Sequence, residues 1–320
     1  MRKILTSILI IAAASSAAVR GPVQGYVVDA RIHAVRAING IPGAAVLSEP
    51  LALGRSVDAG VFADAGVGVP VGVIVTEGRV AVVRDLDGQP VVEMLEGAIA
   101  NVDLMAIDAA GKSAVVVSKA AAKIQFIDGL SGGAHVDAAI SLGDLAARVR
   151  AVVVVDAKRA TLAVGDPDGG VYLVGREGAM EMVARGSGVS ALAALPRAAG
   201  LVFADQTSHQ VMRTYGISGG AAVSVLASER DGVAEPVGLS VVGHRAYVVD
   251  AGNQNILAID LDSNLPDKGI ELSAVPSRAQ AMDGGNTVVL TEVGDSPLLL
   301  LDTTADPKVF FVPAAAVQQQ

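Results

Sequence analysis

Short apolar runs, rich in valine, alternate with clusters of Gly, Asp, Asn and Pro along most of the chain. The stretch Gly238–Leu261, GLSVVGHRAYVVDAGNQNILAIDL, shows the pattern. An apolar run meets a tight turn, a second run ends in Asp250, a polar turn follows, and a third run ends in Asp260. Runs this short and this β-branched, separated by turn-forming residues, predict strands joined by hairpins rather than helices. Several first runs, such as Ala151–Val155 and Val237–Val242, are apolar throughout. Continuous apolarity predicts a strand buried on both faces. Only Leu142–Ala147 carries a helical pattern, enough for a single turn.

The pattern recurs with a polar anchor at the end of each second run: Thr76, Ser118, Asp166, Asp205, Asp250 and Glu292. Consecutive anchors lie 42, 48, 39, 45 and 42 residues apart. A period in the low forties with several strands per repeat predicts the blades of a β-propeller. The fold class expected is therefore all-β, with one propeller domain over residues 31–313. Six blades are expected, at about 55–96, 101–142, 148–186, 188–228, 235–273 and 278–313. The alternative is seven blades, the additional one built from residues 31–60. One small sheet cannot bury both its faces, so stacking around an axis is the economical solution. Arg31–Ile38 alternates apolar and polar residues in isolation, and is expected to close the ring by joining the last blade from outside. Lys308–Val312 is the competing latch. Residues 19–30 read as a lead-in and 314–320 as a disordered tail.

Composition sharpens this reading. Apolar residues make up 52% of the chain, but aromatics only 3%, and Trp is absent. The core must be Val, Ala, Leu and Ile, which suits packed sheets. Without Trp, a sugar-stacking face is disfavoured. The formal net charge of −9 disfavours nucleic acid and anionic membrane surfaces, which require clustered positive charge. Met1–Ala18 has a basic start, an apolar centre and small residues at its end, the form of a secretory signal peptide. Its removal would make the chain more acidic and leave no segment long enough to span a membrane. A secreted or periplasmic monomer is expected, and the absence of Cys excludes disulfides.

Two stretches, Gly129–Gly133 and Gly216–Gly220, satisfy G-x-S-x-G. Each falls between a third and a fourth run with no helix after it, so both read as hairpin turns rather than nucleophile elbows. Asp260, Asp262, Asn264 and Glu271 partly match a calcium loop, but Leu265 stands where the sharp turn needs Gly. They read as a solvated turn, with Ca²⁺ a weak candidate and no other cofactor expected. None of the four histidines has metal-ligand spacing with another. No catalytic residue is assigned.

In a propeller, the turns between second and third strands open on the same face as the links between blades. That face should gather Lys119, Asp166, Asp205, His209, Asp250, Asn253 and Glu292 from turns. Asn101, Arg150, Glu235 and Arg278 join them from the links. A ring of polar groups around a central funnel is the default ligand site of such a fold. Asp205 and Asp250 also read as caps of their own turns.

The run Tyr247-Val248-Val249-Asp250-Ala251-Gly252-Asn253-Gln254-Asn255-Ile256 resembles the "YVAD..N..I" core of the NHL/YVTN group of secreted bacterial propellers. Val202-Phe203-Ala204-Asp205 is a partial second match. The resemblance covers roughly residues 70–305 and implies the fold. It says little of activity, since the group includes binding scaffolds and lactonases. The expected function is an exported, non-catalytic propeller binding a protein or small ligand on its polar face. The alternative is a metal-dependent lactonase or sugar-ester hydrolase using Asn101, Asp205, Asp250 and Glu292.

Overall fold

A computed structural model of the protein describes residues 21–64, 69–166, 169–196, 199–282 and 285–314. The expected signal peptide and residues 315–320 lie outside these. The described strands form seven antiparallel sheets, each drawn from one consecutive stretch of chain. The protein is thus an all-β propeller of seven blades, correcting the main expectation of six.

Blade 1 holds Val23–Asp29, Ala34–Asn39 and Val46–Leu47. Blade 2 opens with Ala59–Asp64, followed by Pro70–Thr76, Arg79–Arg84 and Val91–Met94. The first strands of blades 3 to 7 are Leu104–Ile107, Val149–Asp156, Val189–Ala194, Pro236–Val242 and Gln280–Ala281. The first strands of blades 2 to 7 wall a central channel.

Each second strand is buried on both sides because its alternate residues serve different neighbours. In Arg245–Asp250, Ala246 and Val248 pack toward blade 5, whereas Tyr247 and Val249 pack toward blade 7. Seven hydrophobic clusters among the described residues each span one contact between neighbouring blades. The unbroken first run of blade 4 also serves two neighbours, with Val152 and Val154 packed toward blade 3 and Ala151 and Val153 toward blade 5, but it is only partly buried because it lines the channel.

Arg31–Ile38 is not the latch its isolation suggests. Ala34–Asn39 is the second strand of blade 1, paired with Val23–Asp29 on one side and Val46–Leu47 on the other. Residues 23–29, expected as lead-in, form a strand of the ring. Lys308–Val312 pairs with Leu298–Asp302 inside blade 7. The ring closes by packing: Val27, Ile38 and Ala45 of blade 1 meet Met282, Val289, Leu298, Leu300 and Val312 of blade 7. Gly25, at φ +147°, makes room for this, because a Cβ there would fall 2.3 Å from Met282 Cε. Thr287 Oγ1 donates to Gln24 Oε1 at 3.2 Å across the same seam.

The helical pattern near Leu142 becomes one 3₁₀ segment, Gly143–Arg148, in the link from blade 3 to blade 4. Among the described residues no helix is long and apolar enough to cross a membrane.

Candidate functional site: the turn face and the central channel

One face of the ring, the turn face, carries the turns between second and third strands and the links between blades. Asp205 ends a second strand of blade 5 and is 1% exposed. Its carboxylate accepts backbone N–H groups from Ser187 (2.6 Å) and Gly188 (3.1 Å) in the preceding link. It also accepts those of Thr207 and Ser208 (3.0 Å each) in its own turn. Asp250 does the same in blade 6, accepting from Ala234 (2.8 Å), Glu235 (2.9 Å) and Asn253 (2.8 Å). Each carboxylate therefore ties a turn to a link. In blade 3, Ser118 Oγ accepts from Ala121, while Asp103 of the link accepts from Lys119. Thr76 occupies the corresponding place in blade 2, with its buried Oγ1 unpaired among the described residues.

Other expected site residues brace the same face. His209, at φ +51°, donates through Nδ1 to the Ala234 carbonyl at 2.5 Å. Asn253 Nδ2 donates to Gly232 O, and Gln206 Nε2 to Glu235 Oε1, both at 2.9 Å. Asn101, at φ +52°, ties its N–H to Gly78 O at 3.0 Å. Asp166 and Glu292 are exposed. Asp166 and Asp205 border a groove of about 420 Å³ between blades 4 and 5, with Arg185, Gln210 and Met212.

Of the eleven residues, only Arg150 and Arg278 line the channel itself. The channel encloses about 810 Å³. Its wall is mostly Ala, Val, Leu, Ile and Met from six first strands. Arg150, Ser190, Val237 and Arg278 lie at the strand starts, on the turn face; Asp64 and Asp108 lie at the strand ends, on the opposite face.

β-bulges account for three of the mouth residues. In blade 4, Val149 pairs with Val164 and Ala151 with Ala163, so Arg150 has no partner across the sheet. Ser190 and Val237 are skipped in the same way in blades 5 and 6. Bulges of this kind re-aim a side chain. Arg150 extends over Gly165, where a Cβ would stand 3.3 Å from Nε. It is exposed and makes no hydrogen bond or ion pair with the described residues. Ser190 Oγ donates to Pro236 O at 2.6 Å. Arg278 is half-buried and donates Nε to Thr291 O at 3.2 Å. Burial pushes its guanidinium below the ordinary arginine value, with the charge of Glu292 opposing. Gly238 lets the backbones close beside it, since a Cβ there would meet Ala279 N at 2.4 Å.

The two G-x-S-x-G stretches are turns between third and fourth strands. Leu130 (0% exposed) and Ile217 (7%) plug the sheet ends. Leu86 and Leu261 are buried at the same place in blades 2 and 6. A short repeat, Asp/Gly-Leu/Ile-Asp/Ser, therefore marks four such turns, at Asp85, Gly129, Gly216 and Asp260. This repeat was readable in the sequence, but the hydrolase-like spelling of two copies obscures it. The partial calcium loop is one of these turns. Asp260 Oδ1 accepts the N–H groups of Ser263 and Asp262 and the Ser263 hydroxyl, which hold its carboxyl below the usual range. Asn264 Oδ1 accepts from Arg213, and Glu271 sits on a strand paired with Asn255. Among the described residues no group of three or more His, Cys, Asp or Glu side chains could hold a metal ion. Sequence reasoning missed Ser190 and Val237, because a bulge leaves no periodic mark in one chain.

No family model matches the chain, and no curated protein is similar to it. Solved structures share the fold. Hydrazine synthase from Kuenenia stuttgartiensis aligns over 94% of this chain and 99% of that one, with a TM-score of 0.62 and 12% identity. A catalytically inactive virginiamycin B lyase from Staphylococcus aureus, solved with quinupristin, aligns over 79% and 83%, at 0.58 and 15%. A chain of a nidogen/laminin complex aligns over 77% and 92%, at 0.53 and 13%. At these identities the likeness is one of fold.

Proposed function

We propose that the protein is an exported, non-catalytic propeller that binds a small ligand in the central channel, entered from the turn face. The observation that carries this reading is the channel: a mostly apolar cavity with a few polar groups at its mouths, the ordinary form of a small-molecule site. Its neighbours in fold include an enzyme solved with a ligand and a protein–protein complex, so fold alone does not choose between binding and catalysis. The site does. The carboxylates a hydrolase would draw on, Asp205 and Asp250, already accept three or four backbone N–H groups each.

A fragment library titrated into isotope-labelled protein tests the proposal by amide NMR. Binding fragments are expected to move the amides of Ala151, Ala191, Gly238 and Ala279, around the channel. Shifts confined to outer strands, or none at all, would remove the channel as the site. Lactone hydrolysis above background with added Ca²⁺ would restore the enzyme reading.

A further inference from the structure

We infer that the turn-face mouth is an anion seat, and that the channel takes a single-headed amphiphilic anion: a carboxylate or phosphate head on Arg150 and Arg278, with an apolar body in the channel. This inference rests on the channel-binding reading and adds the ligand's chemical class.

Four observations support it. First, the chain is acidic overall, with 33 Asp and Glu against 24 Lys and Arg. Yet the ionisable groups lining this end of the channel are both arginines, and the acids lining it lie at the far ends of the strands. Second, neither arginine is neutralised by contact. Arg150 has no ion pair or hydrogen bond among the described residues, and Arg278 uses one of its five donors, on a carbonyl. Arg278 is partly desolvated and offset by Glu292 through charge only, without contact, so an anion in contact with it is favoured. Arg150 adds a solvent-exposed charge at the rim, and a guanidinium fork suits the paired oxygens of a carboxylate or phosphate.

Third, the backbone is shaped to deliver these two groups. The bulge frees Arg150 from the sheet of blade 4, Gly165 leaves room beneath it, and Gly238 brings the first strand of blade 6 against the backbone of Arg278 and Ala279 at the start of blade 7. Fourth, the wall beyond the arginines is mostly Ala, Val, Leu, Ile and Met, with Ser240 and Gln280 as neutral polar groups, so it offers no countercharge to a second head before the far mouth. At the far mouth, Asp108 accepts from Lys112 N and Ser113 Oγ, and it stands with Asp64. Two carboxylates there oppose an anion threading through, so the head is kept at the arginine end.

Calorimetry on the full mature chain tests this with decanoate, octyl phosphate and the neutral decanamide. Decanoate or octyl phosphate is expected to bind with one-to-one stoichiometry, and the preferred head tells carboxylate from phosphate. Decanamide is expected to bind at least about tenfold more weakly. Arg278→Gln and Arg150→Gln should each weaken the anion by about tenfold, while Arg278→Lys, which keeps the charge but not the fork, loses less. Arg159→Gln, at the opposite face, should leave binding unchanged. Thermal melts confirm that each variant folds. Equal binding of decanoate and decanamide, insensitive to both arginine variants, overturns the anion seat and leaves channel binding standing. Absence of binding by both anions also overturns it, and the fragment shifts then decide the channel reading separately.

Discussion

The seam between blades 5 and 6 and the seam between blades 7 and 1 bury the same kind of surface but are held differently. At the first, the chain runs through, and polar bonds fix the link. Asp250 accepts from Ala234 and Glu235, His209 donates to Ala234 O, Ser190 to Pro236 O, and Arg213 reaches Leu261 O at 2.6 Å. At the second, among the described residues, no strand is exchanged and no link runs through. The seam relies on one apolar cluster, the Gln24–Thr287 bond and the Arg31–Asp295 pair. The comparison teaches that, among the described residues, complementary end blades meet by packing without a shared strand. Among those residues, fewer side-chain hydrogen bonds cross this seam than the 5–6 seam, which predicts that it opens first.

The sharpest way to break that comparison is to delete equal apolar bulk from each seam. Leu300 (1% exposed) belongs to the closing cluster and Leu257 (3%) to the 5–6 cluster. Either Leu→Ala change should cost about 3 kcal/mol in urea unfolding. The two should differ in how the loss is distributed. In Leu300→Ala, hydrogen exchange should rise first in blades 1 and 7, as local opening, whereas Leu257→Ala should loosen the ring without favouring its ends. Identical exchange patterns would mean that the closing seam is no weaker.

Next in size is Asp250→Ala, which strands three backbone donors and should cost about 2 kcal/mol, with Asp250→Asn losing less. Equal losses for Ala and Asn in urea titrations would show that the carboxylate oxygens are not the tie between turn and link.

The repeat was legible because Val-rich runs with an anchor at the end recur in six copies, and Asp205 and Asp250 do stand where the period places them. Blade 1 was not legible as a blade. Its second strand ends in Asn39-Gly40 without an acidic anchor, its third is only two residues long, and Gly25 interrupts its first. The first strand of blade 2, AGVFAD, is equally unmarked. The turn face was readable from topology, since it follows from counting hairpins. Which residues enter the channel was not, because that depends on bulges at Arg150, Ser190 and Val237, and a bulge is a register event between two strands.

A smaller effect follows from acid. Asp29 in blade 1 is fully buried. Burial alone would raise its pKa, but hydrogen bonds and charge from Arg31 and Arg36 outweigh that and hold it below the ordinary value. A lowered folded pKa means that this stabilisation is present above the unfolded value, near about 3.9, and is lost as pH falls through the lower folded one. Melting between pH 5 and 2.5 should therefore show an acid-side decline that is shallower in Asp29→Asn. The difference should be a few degrees in Tm, about what 1 kcal/mol gives in a chain of this size. Parallel curves would show that Asp29 does not contribute to the acid sensitivity of the closing blade.

The smallest effect separates packing from charge as the agent of closure. Arg31 Nη1 lies 2.9 Å from Asp295 Oδ1, an ion pair that bridges the seam. Asp295 is 95% exposed, however, while Arg31 also holds Asp29 through Nε and Nη2. An exposed partner gains little from the pair, because water and salt screen it, and its worth is roughly 0.5 kcal/mol or less. Asp295→Asn should leave Tm within about 1–2 °C of the parent, and added salt should not open the seam. Arg31→Gln should cost more, through Asp29 rather than Asp295. If Asp295→Asn instead raised exchange in blades 1 and 7 as much as Leu300→Ala does, charge rather than packing would be what closes the ring.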